Sequence, residues 1–329
     1  MAESSEMPSL SPREELAAKA LHRMLAGRVH ALLEHASPET RASDAPAIMK
    51  SLLAADETVI RQPPAAAQEA LAMARNPNCS TEQVVRLFER DPALTQALLA
   101  RANAAFYRVG SEPCSSIRQA VQRIGARGVE SVVTASLVET MLCKPGNAYQ
   151  RMLDDYWGHM TRTAPIAREL ALAFMAEPES AFTLGLLHDV GKLVILDHLS
   201  QLRKKQNREA KVPPATLQGM IDRLHEPIGG IALLRWKLGE EAATAVGNHQ
   251  RTPPPAELDM LGELLYVANH AEHVLRRHGE IDFRQLMRDG ELTVDPASLH
   301  ERLEKGVGAP VSPLRRDGEG AGEGPAAAA

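Results

Sequence analysis

The residues best suited to catalysis or metal binding are a histidine and an aspartate that stand side by side in an apolar segment. His188 and Asp189 lie between two leucine- and valine-rich stretches, and Lys192 follows three residues later. Burying an imidazole beside a carboxylate costs several kcal/mol unless each group finds a partner. Metal coordination is one explanation of the pair, because imidazole nitrogen and carboxylate oxygen together suit Fe, Mn, Zn or Mg.

A second explanation needs no metal and remains open at this point. Asp189 could pair with Lys192 at the i,i+3 spacing of a helix, while His188 donates to a backbone carbonyl of a neighbouring helix. His159, His225 and His249 lie in other segments that could converge on the pair. Spacing along the chain does not decide between the two explanations.

Helices must position these residues, because apolar residues repeat at helical spacing and almost no segment alternates with period two. Ser80 and Gln83 form a capping-box pattern, and Asp91 followed by Pro92 is a typical helix start. Gly125 is expected to end the helix that it follows. In the second half of the chain the pattern predicts helices over 154–175, 180–199, 216–225, 228–237, 240–248 and 256–278.

Several motifs, taken in order, resemble one known family. His188–Lys192 reads His-Asp-Val-Gly-Lys and resembles the His-Asp-x-Gly-Lys signature of the HD phosphohydrolase superfamily. Segments 90–95, 102–107, 116–125 and 225–236 are similar to motifs of its HDOD branch. The resemblance covers roughly residues 52–255 and implies an all-α fold, an HD-superfamily helical bundle with an N-terminal helical subdomain.

The same resemblance, with the composition of the flanking segments, predicts the organisation of the chain. The HDOD domain is expected over 52–278, with an N-terminal helical half at 52–145 and an HD-like half at 146–278. A helical extension is expected at 1–51 and a further helical segment at 279–307. Residues 308–329, rich in Gly, Pro, Glu and Ala, are expected to be disordered.

Active HD hydrolases hold metal ions with a set of histidines and aspartates, and the resemblance carries part of that set to this chain. The matching positions are His159, His188, Asp189, His225 and His249. Gln250 stands where a second adjacent histidine is typical, and Asn269 where a late aspartate is typical. The implied site is therefore a degenerate one for a divalent metal, Fe, Mn, Zn or Mg, because a neutral amide holds a hard cation poorly.

Three further residues lie near the candidate ligands in the sequence: Lys192, His270 and His273. Lys192 is the catalytic candidate if the chain is active, since its ammonium could stabilise charge that develops on a phosphate. His270 and His273 lie close to Asn269, and a pair at this spacing is more typical of a solvated helix face. No Gly-Tyr-Pro tripeptide occurs, which disfavours the cyclic-di-GMP phosphodiesterase branch.

The sequence therefore favours a non-catalytic signal-transduction module that binds signalling proteins or a small-molecule or nucleotide effector. The alternative is a metal-dependent phosphohydrolase or phosphodiesterase. Nucleic-acid binding is not expected, because 37 Lys and Arg residues against 42 Asp and Glu residues give a formal charge of −5. No apolar run spans a bilayer and no secretory signal precedes the domain, so a cytoplasmic protein without membrane contact is expected.

Overall fold

Every regular element in the computed structural model is helical, within the residues that it describes: 10–76, 78–107, 113–143, 148–250 and 259–278. This confirms the all-α prediction. The predicted segments 279–307 and 308–329 lie outside the described residues. Two short 3-10 helices cover Ala105–Tyr107 and Ala171–Phe174. The α-helices are α1 (Pro12–Glu34), α2 (Pro38–Ala42), α3 (Ala45–Leu52), α4 (Ala65–Arg75), α5 (Thr81–Glu89), α6 (Pro92–Ala102), α7 (Ile117–Leu142), α8 (Gln150–Leu170), α9 (Pro178–Leu187), α10 (Val190–Gln206), α11 (Pro214–Arg235), α12 (Glu240–Gly247) and α13 (Met260–His278).

The helix starts that the sequence predicts are formed by the expected groups. The Ser80 hydroxyl accepts from the Gln83 amide while the Gln83 side chain accepts from the Ser80 amide. The Asp91 carboxylate accepts from the first free amides of α6, and Pro92 opens that helix. Gly125 has a φ of 68° and a ψ of −179°, outside helical values, so the first segment of α7 ends there as predicted and a second segment follows across the kink.

The prediction of a single helix over 180–199 is wrong, and the difference concerns the site directly. α9 ends at Leu187 and α10 begins at Val190, so His188 and Asp189 occupy the junction. Asp189 has φ −102° and ψ 11°, outside helical values, and its side chain does not cap α10. The two polar side chains therefore project from the turn between α9 and α10. From there they can contact groups on several neighbouring helices.

The separate helices predicted at 216–225 and 228–237 are one continuous helix, α11. Pro227 lies inside it and has no amide hydrogen to donate to the carbonyl of Arg223, four residues earlier. Arg28 of α1 supplies the missing donor, because its Nη1 lies 2.9 Å from that carbonyl oxygen. A residue of the N-terminal extension thus completes the backbone of the helix that carries His225.

Helices α4 to α7, in the predicted N-terminal half, pack mainly around α7, whereas α8 to α13 lie in the predicted HD-like half. α1 lies along α11 and α12, and the Leu21 side chain occupies the space that a Cβ at Gly230 or Gly247 would need. The extension is thus packed against the HD-like half. Within the described helices, none combines the length and apolarity needed to cross a bilayer.

Candidate metal centre

Four imidazoles from different parts of the chain meet around the carboxylate of Asp189. His159 comes from α8, His225 from α11, and His249 follows α12, while His188 lies beside Asp189 at the corner. The Nε2 atoms of His225 and His249 lie 3.3 and 3.5 Å from Asp189 Oδ1. Those of His188 and His159 lie 3.4 and 3.6 Å from Oδ2. The five predicted ligands are thus all brought together.

The other nitrogen of each imidazole fixes the direction of its lone pair. Nδ1 of His188, His225 and His249 lies 2.8–2.9 Å from a backbone carbonyl oxygen, each within three or four residues of the histidine itself. A carbonyl oxygen only accepts hydrogen bonds, so Nδ1 carries the proton and Nε2 presents a lone pair. This is the arrangement in which protein histidines bind metals.

Several atoms facing this point are buried acceptors without a donor. Asp189 Oδ1 and Nε2 of His225 and His249 have no hydrogen-bond partner within the described part of the chain. Lone pairs that face one another repel, and an unpaired buried polar atom is costly. A cation at this point would remove both penalties, so the residues present fit a bound divalent metal.

Burial keeps His188 and His225 in the protonation state that a metal requires. It lowers the pKa of His188 to about 4 against the opposing effect of Asp189, and it lowers the pKa of His225 well below the ordinary value. For Asp189 burial acts upward, but Lys192 and His188 hold its pKa well below the ordinary range. At neutral pH His188 and His225 are therefore neutral and the carboxylate of Asp189 is ionised.

The metal-free pairing considered from the sequence is also present in part. Lys192 Nζ lies 2.6 Å from Asp189 Oδ2, which confirms the i,i+3 pair. His188, however, uses the carbonyl of Gly185 in its own helix and not one from a neighbour. Lys192 balances the charge of one carboxylate oxygen, while the other oxygen still faces His225 and His249.

Glu272 is a member of the site that the sequence motifs do not identify. Its Oε2 lies 2.7 Å from Nδ1 of His159, and its Oε1 accepts from Arg162 Nε at 2.6 Å. Burial opposes ionisation, but these contacts lower the pKa of Glu272 to about 2. The carboxylate therefore holds His159 with Nε2 directed at Asp189. The sequence did offer one signal: Glu272 follows Asn269 by three residues on α13, and this spacing places both residues on the same face of the helix.

The remaining positions on α13 differ in their surroundings. The ring of His273 stacks on that of His159, with centroids 4.6 Å apart, and burial lowers its pKa to about 4. Its side chain is still 41% exposed, so this ring is partly solvated, as expected. His270 belongs to none of the ligand groups found among the described residues. Asn269 is buried, and its Oδ1 has no hydrogen-bond partner in the described ranges. Gln250 acts through its backbone amide, which donates to Glu226 at 2.7 Å.

Glu226 connects α1 to two ligand-bearing segments. Its buried carboxylate accepts from Arg28 Nη1 at 2.6 Å and from the Gln250 amide, and it adjoins His225. We expect Arg28→Ala to weaken the affinity of the site for Zn²⁺ about 10-fold, the lower range for outer partners of metal ligands. Competition with a chromogenic chelator measures this. Arg23→Ala, on an exposed part of α1, is the matched control, and equal affinities in the two variants would contradict the prediction.

Comparison with known proteins shows which family and which fold this chain shares. The sequence profile of the HDOD domain matches residues 60–252, more than half of the chain. An uncharacterized protein of Treponema pallidum is 27% identical over 220 residues, which are 65% of this chain and 42% of that protein. The chain therefore spans less than half the length of this curated relative.

Solved structures from Shewanella amazonensis share the fold. One, described as a candidate metal-dependent phosphohydrolase, superposes with a TM-score of 0.61 at 20% identity and covers 78% of this chain and 92% of its own. Another, described as a candidate phosphohydrolase, has a TM-score of 0.58 at 25% identity, with 77% and 93% covered. The match over residues 60–252 and the shared helical bundle lead to one conclusion: this chain belongs to the HDOD domain family.

Proposed function

We propose that this chain is a non-catalytic regulatory module of signal transduction whose His–Asp centre holds one divalent metal ion. The observation that carries the proposal is that the ligand atoms converge in a closed interior. His188, Asp189, His225 and His249 are 0% exposed, and His159 is 6% exposed. Structural metal sites are closed in this way, whereas catalytic ones keep a position open for water and substrate.

The chemistry of the donor set supports the same proposal. Four imidazoles and a single carboxylate favour Zn or Fe over Mg, which prefers oxygen ligands. Asn269 brings no charge where a second carboxylate would help to hold a second ion and a nucleophilic hydroxide. A bound ion would fix α8, α10, α11 and the end of α12 relative to one another, which stabilises the bundle.

Regulatory binding requires a surface, and the N-terminal half offers one. A groove of about 640 Å³ lies between α4, α5, the start of α6 and α7. Its walls include Leu87, Leu94 and Leu137, with Arg86 and Arg90 beside them. An apolar groove with a few polar groups is typical of a binding site for a peptide or small effector. We propose that a signalling protein or a small effector binds in this groove, in the cytoplasm.

Metal content and turnover, measured together, test the proposal. The chain is purified without chelator, its metal is quantified, and a generic phosphodiester is offered as substrate. We expect close to one Zn or Fe per chain, no turnover, and loss of the metal in His188→Ala. His22→Ala, an exposed histidine on α1, should retain the metal. Turnover that disappears together with the metal in His188→Ala would instead establish the phosphohydrolase alternative, with Lys192 beside the reacting phosphate.

A further inference from the structure

A second group of buried charges lies where the two halves of the domain meet, apart from the His–Asp centre. Arg101 at the end of α6 and Tyr107 in the 3-10 helix come from the N-terminal half. Arg168 on α8 and Glu179 on α9 come from the HD-like half. Arg168 is only 6% exposed, and Tyr107 and Glu179 are also buried.

One carboxylate serves two guanidinium groups in this cluster. Arg101 Nη2 donates to Glu179 Oε2 at 2.9 Å, whereas Arg168 Nη1 lies 3.9 Å from Oε1, beyond hydrogen-bond distance. Glu169 is no closer, since its Oε1 lies 4.0 Å from Arg168 Nε. Burial and the neighbouring Arg101 lower the pKa of Arg168. The Arg168 guanidinium therefore lacks a hydrogen bond to either carboxylate.

The hydrogen-bond inventory shows the same deficit. Four donor atoms lack a partner in the ranges that the structure describes: Nε of Arg101, Nε and Nη1 of Arg168, and the Tyr107 hydroxyl. The unpaired acceptor on the facing side is Oε1 of Glu179. Buried donors in proteins normally have partners. A group that pairs with these donors must therefore bring acceptor atoms.

Aromatic rings surround the guanidinium groups. The Arg101 guanidinium lies 3.3 Å from the ring centroid of Phe182, and that of Arg168 lies 4.0 Å from that of Phe106. Phe106 is 47% exposed and forms the outer edge of the cluster. Planar guanidinium groups stacked on aromatic rings keep their N–H donors directed at the ring edges, which suits recognition of phosphate or carboxylate.

We infer that Arg101, Arg168 and Tyr107 form a binding site for the oxyanion group of a small ligand, a phosphate or a carboxylate. This inference deepens the effector-binding part of the proposed function and needs no metal. α8 and α9 carry the site and also lead to His159 and His188. The effector would therefore bind across the junction of the two halves.

Thermal denaturation with inorganic phosphate tests the site in the full chain. A chelator is present throughout, so that phosphate bound to a metal does not contribute. Phosphate should raise the unfolding midpoint more than sodium chloride of equal ionic strength, by mass action on the folded state. Acetate is the second probe: a shift with acetate that equals or exceeds that with phosphate assigns the site to carboxylates, and a smaller one assigns it to phosphates. Equal midpoints in phosphate, acetate and chloride would overturn the inference.

Two variants place the effect at these residues. Arg168→Gln should abolish the phosphate-dependent shift, while Arg118→Gln, at an exposed pair, should retain it. Tyr107→Phe removes a hydroxyl without a partner in the described residues, so the ligand-free midpoint should stay the same while the phosphate shift falls by half or more. This second variant decides the question if Arg168→Gln does not fold. A wild-type phosphate shift in Tyr107→Phe would contradict the assignment.

Discussion

Gly191→Ala is expected to destabilise the fold by about 3 kcal/mol or more and to abolish metal binding. A Cβ at Gly191 would overlap the carbonyl oxygen of His225 and would lie 2.7 Å from its carbonyl carbon and 2.8 Å from the amide nitrogen of Gly229. All these atoms belong to the backbone of α11, which cannot rotate away as a side chain can. The substitution must therefore push apart α10 and the helix that carries His225.

Gly219→Ala is the matched control, because Gly219 lies on α11 as well. No atom lies within 4 Å of a Cβ placed there, counting only the described residues. The alanine should raise the free energy of unfolding by about 0.4–1 kcal/mol, since it reduces the freedom of the unfolded chain. Urea denaturation measures both variants. Effects of the same sign and size would refute the argument that close backbone approach is what requires glycine in this motif.

Asp189→Asn is expected to lower the free energy of unfolding by about 3 kcal/mol and to remove the metal. The change keeps the shape of the side chain but leaves the ammonium of Lys192, 11% exposed, without its counter-charge. Breaking a buried pair by removing one partner costs about 3–5 kcal/mol. The lower end applies because the Lys192 side chain retains some contact with solvent.

Adding Lys192→Met to Asp189→Asn should restore at least half of the lost stability. Exchange of both partners of a buried pair for neutral groups is often nearly neutral. Metal content should stay at zero in the double variant, because the ligand itself is gone. Urea midpoints of the single and double variants give the coupling free energy. Purely additive effects would show that Asp189 and Lys192 are not a coupled pair.

The position of the chemistry could be predicted from the sequence, but its local geometry could not. His188 and Asp189 stand out because polar side chains interrupt an apolar run, and the ordered motifs point to His159, His225 and His249. The break between α9 and α10 leaves no trace in that run, because apolar residues continue on both sides of the corner. A buried corner and a buried helix have the same composition.

Contacts between segments that are distant in the sequence were harder still to predict. Arg28 and Glu226 are 198 residues apart, and no local pattern connects an arginine on an amphipathic helix with a proline on another. The sequence did not identify Glu272 for a similar reason, because a glutamate on a helix such as α13 is ordinarily solvated. The roles of Arg28, Glu226 and Glu272 follow only from tertiary packing, which places them beside a histidine or beside a carbonyl without a backbone donor.

We propose that one metal ion lies in a closed centre at Asp189. Anomalous diffraction at the absorption edge of the bound metal tests it most directly, with crystals of chain purified without chelator. We expect a single anomalous peak within bonding distance of Asp189 and of Nε2 of His225 and His249, with no channel to solvent. A site without a peak, or two ions with coordination positions open to solvent, would contradict it.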